Sequence, residues 1–292
     1  MPTLLDYRRR IRSVKNTQQI TRAMKFIAAA RFRKAHDAVL GARPYAREIL
    51  RILRSAVARM ETVSHPLLQR RKERRILAIV LSGDRGLAGP FNANVIRFAT
   101  RFLRDNESKQ IQVIAVGRKG RDALRKRGFN ITGDYLHVSL NVNFSHAKEI
   151  AKRIIDLYEG DEIDAAYLVY NEFKTVMTQT LRAEKLLPIE PAIFKSDEKE
   201  GGAPALVDYI YEQPPAELFR GLLQRYVENE VFRVLLESAA AEFGARMSAM
   251  ESATKNAGDL IEKLTLDMNK IRQAAITREL IEIVSGAASA AG

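Results

Sequence analysis

Two stretches at opposite ends of the chain repeat apolar residues at alternating steps of three and four. In the first, Leu4, Tyr7, Ile11, Val14, Gln18, Thr21, Lys25, Ala28, Phe32, Ala35, Val39, Ala42, Ala46, Ile49, Leu53, Ala56 and Met60 share one seam, and all but Gln18, Thr21 and Lys25 are apolar. A mean step of about 3.5 residues is the signature of a left-handed coiled coil. Across the three polar positions Ile20, Met24 and Ile27 supply a second stripe one residue off register, which predicts that the buried face broadens or turns there. In the second stretch the seam is Leu236, Ala240, Phe243, Met247, Met250, Thr254, Ala257, Ile261, Leu264, Met268, Ile271 and Ala275, with Thr254 its one polar member. Beyond Ala275 the stripe slips by one residue to Ile276, Leu280 and Ile283.

At about 1.5 Å per residue, positions 4–60 predict a helix of roughly 85 Å. A second helix of roughly 105 Å starts after the Gln-Pro-Pro break at 213–215 and runs past Val284. Pro44 predicts a kink or bend near 41–44. A helix with a single apolar stripe needs a partner to bury it. The two ends therefore pair antiparallel, and the middle of the chain is inserted between them.

That middle has a different rhythm. "RILAIVLS" and "KQIQVIAVG" are short apolar runs of buried-strand type. "IDAAYLVYNEF" holds a third strand, "VMTQTLRAEKLLPI" alternates like a partly exposed fourth, and "LVDYIYE" adds a short fifth. Helical stretches over 93–106, 118–127 and 145–159 lie between them, the last with Ser145 as its N-cap. "KSDEKEGGAPA" is an exposed loop. Alternating strands and helices indicate an α/β layer with some antiparallel edge. The predicted fold is an α/β insert plus a long antiparallel α-helical coiled coil formed by the N- and C-terminal helices. Its parts are residues 1–74, 75–212 and 213–292, the last pairing with the first.

Composition narrows the function classes. The chain has 292 residues, 46% of them hydrophobic, which is enough for a core, but only 7% are aromatic and Trp is absent, as suits helices packed through Ala, Leu, Ile and Met. With no Cys there is no disulfide, thiolate metal site or thiol switch. The net charge of +13 predicts acidic partners without choosing among nucleic acid, anionic lipid and protein. Residues 1–36 concentrate it: Arg8, Arg9, Arg10, Arg12, Lys15, Arg22, Lys25, Arg31, Arg33 and Lys34 stand against Asp6 alone. A solvated coiled-coil face and a surface for something acidic both fit this run. No nucleic-acid reader motif accompanies it, and no aromatics interleave for base stacking. No apolar run approaches the roughly 20 residues of a membrane span.

Candidate chemistry is sparse. "SGDRGLAGPFN" follows the first strand and precedes a helix, where α/β proteins bind phosphates. Its Gly83, Gly86 and Gly89 are spaced G-x-x-G-x-x-G, however, and no Gly-Lys-Ser/Thr follows. A turn with special backbone angles is the reading these residues favour, and nucleotide binding at 83–89 is the alternative. His36, His65, His137 and His146 show no ligand spacing, and no serine sits in a nucleophile elbow.

"RIRSVKNTQQITRAMKFIAAARFRKA" resembles the N-terminal helix of the gamma subunit of F-type ATP synthases. "ESATKNAGDLIEKLTLDMNKIRQAAITRELIEIVSGAASA" resembles its C-terminal helix, and "DRGLAGPFN" the loop after its first strand. The order of arm, insert and returning arm agrees, so the resemblance spans nearly the whole chain. Some positions depart: Ala88 and Pro90 intervene in the loop, Gly83 is extra, and Lys255 stands where the family commonly has an acid. The Cys-bearing regulatory insert of chloroplast relatives is absent, so redox switching is not expected, and a bacterial source is.

The resemblance implies a non-catalytic rotor shaft without cofactor inside a ring of three alpha and three beta subunits. Proton flow turns a membrane c-ring, the ring turns the shaft, and the shaft forces the beta subunits through open, loose and tight states. It implies that Arg272, Gln273 and Thr277 touch beta-subunit catch loops, and that Met24 and Lys25 lie in a segment whose packing affects coupling. It implies too that Arg9, Arg10 and Lys15 face acidic beta segments, and that Tyr209, Tyr211 and Glu212 meet the c-ring and epsilon subunit at the foot. The protein would sit peripherally on the cytoplasmic face of a bacterial plasma membrane. Its small-residue tip, "SGAASAAG", would turn in the closed end of the ring without interlocking. Two readings stand against the rotor: a nucleotide-using enzyme with its site at 83–89, and a coiled-coil protein that binds nucleic acid.

Overall fold

The computed structural model describes residues 3–57, 65–173, 175, 179–190, 193 and 215–291, and of 215, 216 and 287–291 the backbone. The chain divides into two compact units, Met1–Ala28 with Met247–Gly292, and Ala29–Arg246. Two long helices contribute to both: α1 (Leu4–Val57) and, at the other end of the chain, Pro215–Ala291.

Helix α1 starts where its sequence says it can. Thr3 and Asp6 form a reciprocal cap, with the Thr3 N–H and hydroxyl donating to Asp6 Oδ2 at 2.9 and 2.8 Å and the Asp6 N–H donating to Thr3 Oγ1 at 3.3 Å. These bonds, with Arg9 and Arg10 nearby, hold the Asp6 carboxyl below the usual carboxylate range. The helix continues unbroken through Pro44. None of the described seam positions between Leu4 and Ala56 is exposed, and Thr21, Ala28, Ile49, Leu53 and Ala56 are buried. The second stripe does not form. Ile20 is 60% and Ile27 55% exposed, while Gln18, Thr21 and Lys25 stay in the seam. The polar residues keep their places because the facing helix offers them polar partners.

In the larger unit a five-stranded sheet has the order β3-β2-β1-β4-β5. Strands β1 (Arg75–Leu81), β2 (Gln110–Val116), β3 (Ile131–Tyr135) and β4 (Ala165–Phe173) are parallel, and β5 (Gln179–Leu187) pairs antiparallel to β4 at one edge. Helices α2 (Phe91–Asp105), α3 (Arg118–Lys126) and α4 (Phe144–Glu159) connect them, and the last helix is α5 (Pro215–Ala291). Strand β1 is buried on both faces, as a central parallel strand must be. Leu77, Ile79 and Leu81 point into a core with α4 and the 219–235 stretch of α5, whereas Ala78 and Val80 point to α2 and α3.

Four of the five expected strands and all three inner helices correspond to elements found here. Strand β3 was not expected. It is an edge strand of alternating partial exposure, and its Gly133 and Asp134 are poor strand formers. The Arg153 guanidinium rests over Gly133, where a Cβ would stand. The cap of α4 is Asn143 rather than Ser145, which sits inside the helix, and His146 Nδ1 accepts the Asn143 N–H at 3.4 Å. The expected loop at 195–205 and fifth strand at 206–212 lie outside the described residues.

The starts of β1 and β4 are tied by one carboxylate. Buried Asp164 pairs with the Arg75 guanidinium at 2.7 Å and accepts the Arg74 and Arg75 N–H groups at 3.0 and 2.8 Å. The Arg75 side chain foremost, aided by these amides, holds its pKa down to about 2. A depressed carboxylate pKa stabilises the fold above the unfolded value near 4, and that contribution is lost as pH falls toward about 2. Asp164→Asn should therefore cost about 1.5–3 kcal/mol at neutral pH. Urea unfolding of both proteins should show the gap closing as the pH is lowered through about 4 to about 2.

Candidate partner interface

In the smaller unit α1 and α5 run antiparallel. The Gln18 amide donates to the Thr254 carbonyl at 3.4 Å, the Thr21 and Thr254 hydroxyls meet at 2.8 Å, and Lys25 Nζ reaches Glu251 Oε1 at 2.6 Å. The partners on α5 step backwards as α1 advances, the order an antiparallel pair requires. Each threonine hydroxyl also lies within bonding distance of a carbonyl of its own helix, Gln18 O at 3.0 Å and Met250 O at 2.7 Å. One hydroxyl therefore gives its proton to the other, which gives its own to its helix. This polar layer accounts for the break in the heptad pattern.

The basic residues of the first turns point outward. Arg8, Arg9, Arg10, Arg12, Lys15 and Arg22 are exposed. Met24 and Lys25 are half-buried, with Lys25 engaged by Glu251. Arg272, Gln273 and Thr277 are exposed on α5, and the Thr277 hydroxyl donates to the Gln273 carbonyl at 3.0 Å. The structure thus divides these residues into an exposed basic row, a seam layer and an exposed distal group. Tyr209, Tyr211 and Glu212 lie outside the described residues.

Apolar exposure is the feature the sequence reading missed. On α1, Leu5, Ile20, Phe26 and Ile27 are all more than half exposed, at 55, 60, 61 and 55%. On α5 every seam position from Leu236 to Ala275 is at least partly buried, after which burial stops. Ile276, Leu280, Ile281, Ile283 and Val284 are 49–67% exposed, so the slipped stripe at Ile276, Leu280 and Ile283 finds no seam within the described residues. At about 100° per residue these five side chains cover roughly 160° of the helix circumference. The available signal was the length mismatch: α1 begins at Leu4, opposite the end of the α5 seam, while α5 continues to Ala291.

The glycine loop is tied to its neighbours from within the protein. At the start of α3 the N–H groups of Arg118, Lys119 and Gly120 already donate to Asp84 Oδ1, Gly83 O and Ser82 Oγ at 3.1, 3.1 and 2.8 Å. The Gly83 N–H donates to Asn92 Oδ1 at 2.9 Å, and the Glu242 carboxylate lies against the Gly83 Cα. These backbone donors beside the loop are filled by the protein itself. The histidines hold local structure. His36 packs with Phe32 and Phe173, and His137 lies 3.2 Å from the Arg118 guanidinium. His65 Nδ1 accepts the Leu67 N–H at 3.1 Å, and burial, aided by Arg220, lowers its pKa. Among the described residues no cluster of His, Asp or Glu could hold a metal ion.

A family model described as ATP synthase matches residues 3–290. The ATP synthase gamma chain of Solibacter usitatus is 51% identical over 99% of this chain and 100% of its own length. That of Pelotomaculum thermopropionicum is 48% identical over 99% of both. Among solved structures, a chain of the OSCP/F1/c-ring portion of the Euglena gracilis mitochondrial ATP synthase superposes with a TM-score of 0.68 at 19% identity, covering 98% of this chain and 94% of that one. A chain of the central stalk/c-ring of the Tetrahymena thermophila mitochondrial enzyme gives 0.58 at 24% identity, covering 80% and 99%. At these identities the two structures show a shared fold.

The hydroxyl pair generates a prediction. Thr21→Val or Thr254→Val alone should cost about 0.5–1.5 kcal/mol, and the double replacement should cost less than the sum of the two. Thermal unfolding of the four proteins measures this, and strict additivity would show that the hydroxyls do not act as a pair.

Proposed function

The chain belongs to the ATP synthase gamma-chain family, and we infer from that membership that it works as the central stalk of such a complex, as a subunit without catalytic chemistry. The alpha and beta subunits form the ring around it, and beta carries the nucleotide chemistry. The stalk acts on that chemistry by touching otherwise equivalent neighbours differently, which is a coupling free energy set by geometry.

One observation carries the reading: α5 continues past the end of its seam as a helix that exposes Ile276, Leu280, Ile281, Ile283 and Val284. An apolar surface of this breadth calls for a sleeve. The exposed Arg9, Arg10 and Lys15 give that sleeve a reason to be acidic near the end of the pair. Arg272, Gln273 and Thr277, exposed at the start of the bare stretch, are assigned to contacts with loops of the beta subunits. Lys25 acts from within the seam and half-buried Met24 from beside it, where they set how firmly the two helices hold register. Tyr209, Tyr211 and Glu212 are assigned to the foot, against the epsilon subunit and the c-ring. Through the c-ring the protein is peripheral to the cytoplasmic face of a bacterial plasma membrane, and no described helix is long and apolar enough to cross one. Nucleic acid is not a partner in this reading.

Co-purification tests it. A tagged chain should bring down alpha and beta subunits in excess over itself. Recovery alone, or with nucleic acid in salt-sensitive association, contradicts the rotor. Within the complex, deletion of 286–292 should be tolerated. Bulky replacements such as Ala274→Trp or Ala275→Trp should slow ATP turnover by roughly tenfold, the effect of about 1.4 kcal/mol on the barrier.

A further inference from the structure

The glycine loop after β1 is the one sequence motif to which the rotor reading gives no task. Its place in the fold is a familiar one. From β1 the chain goes outward to β2 and β3, then returns to β4 on the other side of β1, so the sheet order reverses between β1 and β4. In open α/β sheets the crevice outside the carboxyl ends of the strands at such a point is where ligands bind. Here α5 fills it. Ala241 is buried against Ala88 and Phe91 of the loop, with Phe173 from the end of β4 beside them. The Gln179 amide at the start of β5 donates to the Ala241 carbonyl at 2.8 Å.

The neighbouring residues of α5 are charged and buried. Glu242 is 3% and Arg246 9% exposed, and the two pair at 2.7 Å one helical turn apart. Arg246 also reaches the Gly86 carbonyl at 3.4 Å. The Glu242 carboxylate sits on Gly83 so closely that a Cβ there would lie 2.9 Å from both its Cδ and its Oε1. An internal carboxylate, neutralised from its own helix, thus occupies the position at the switch point where an anionic ligand would be sought.

We propose that this notch, Gly83 receiving Glu242 with Arg246 clasping Gly86, is the joint through which rotation of the α/β body passes into helix α5. The proposal rests on the rotor reading and assigns it residues. Purely apolar helix packing can slide, since neighbouring ridges are alike. Sliding α5 by one residue would lift Glu242 off Gly83 and take Arg246 from the Gly86 carbonyl, leaving two buried charges without the notch that receives them. The contact is therefore a key, resisting both turning and slipping.

The test uses the assembled complex in vesicles, comparing protons pumped with ATP hydrolysed. Gly83→Ala should leave hydrolysis running while pumping per ATP falls by roughly fivefold, within the span of effects measured for directly contacting residues. Glu242→Gln and Arg246→Lys, which keep volume and fold better, should lower the same ratio by a smaller factor. Gly83→Ala combined with Glu242→Gln should be no worse than the poorer single variant, because both act through one contact. A ratio unchanged in all three single variants overturns the proposal. So does a proportional fall of pumping and hydrolysis, since the contact would then serve folding alone. If the wild-type chain itself fails to assemble with the ring, the rotor reading falls and takes the joint with it, whereas an unchanged ratio in an assembled complex removes the joint alone.

Discussion

The antiparallel seam between α1 and α5 is the constraint on which the structure depends. It is held mostly by small and medium apolar side chains, and such seams are poor at fixing register because one heptad resembles the next. The Gln18, Thr21 and Lys25 layer, answered by Thr254 and Glu251, breaks that degeneracy. Only one alignment brings two hydroxyls, an amide and an ion pair to their partners together. Part of the packing energy is given up for uniqueness, and uniqueness is what a moving part needs if every turn is to present the same surface to its surroundings.

The α/β unit solves a second problem with the same helix. A sheet buried on both faces is stiff, but it needs a fixed attachment to whatever it drives. The Arg233 cluster on α5 supplies one, pairing with Glu230 at 2.7 Å, with Glu184 of β5 at 3.0 Å and with Glu237 at 3.2 Å, and donating to the Tyr170 hydroxyl of β4 at 3.2 Å. Burial, aided by the nearby charges of Glu172 and Glu184, raises the Glu237 pKa despite Arg233. With the Glu242 notch two turns further on, α5 is fastened to the sheet by charge as well as by apolar contact.

Much of this was legible in the residues. The heptad seams marked both long helices, and every described seam position proved at least partly buried. The apolar runs marked β1, β2 and β4, since parallel strands covered on both faces have little polar alternation. Strand β3 was hidden because Gly133 and Asp134 serve a neighbour's packing and an exposed edge rather than strand propensity. The fate of Ile20 and Ile27 was hidden for a different reason. Periodicity says which residues could share a stripe, but only the facing helix decides between a polar seam with partners and an apolar stripe without them. The turn at the glycine loop was legible, yet its occupant could not be read locally, because Glu242 lies far away in sequence.

The bare end of α5 also bears on the life of the protein before it meets its partners. A newly made copy carries Ile276, Leu280, Ile281, Ile283 and Val284 in water with nothing over them. Such a surface invites chaperones, self-association and proteolysis.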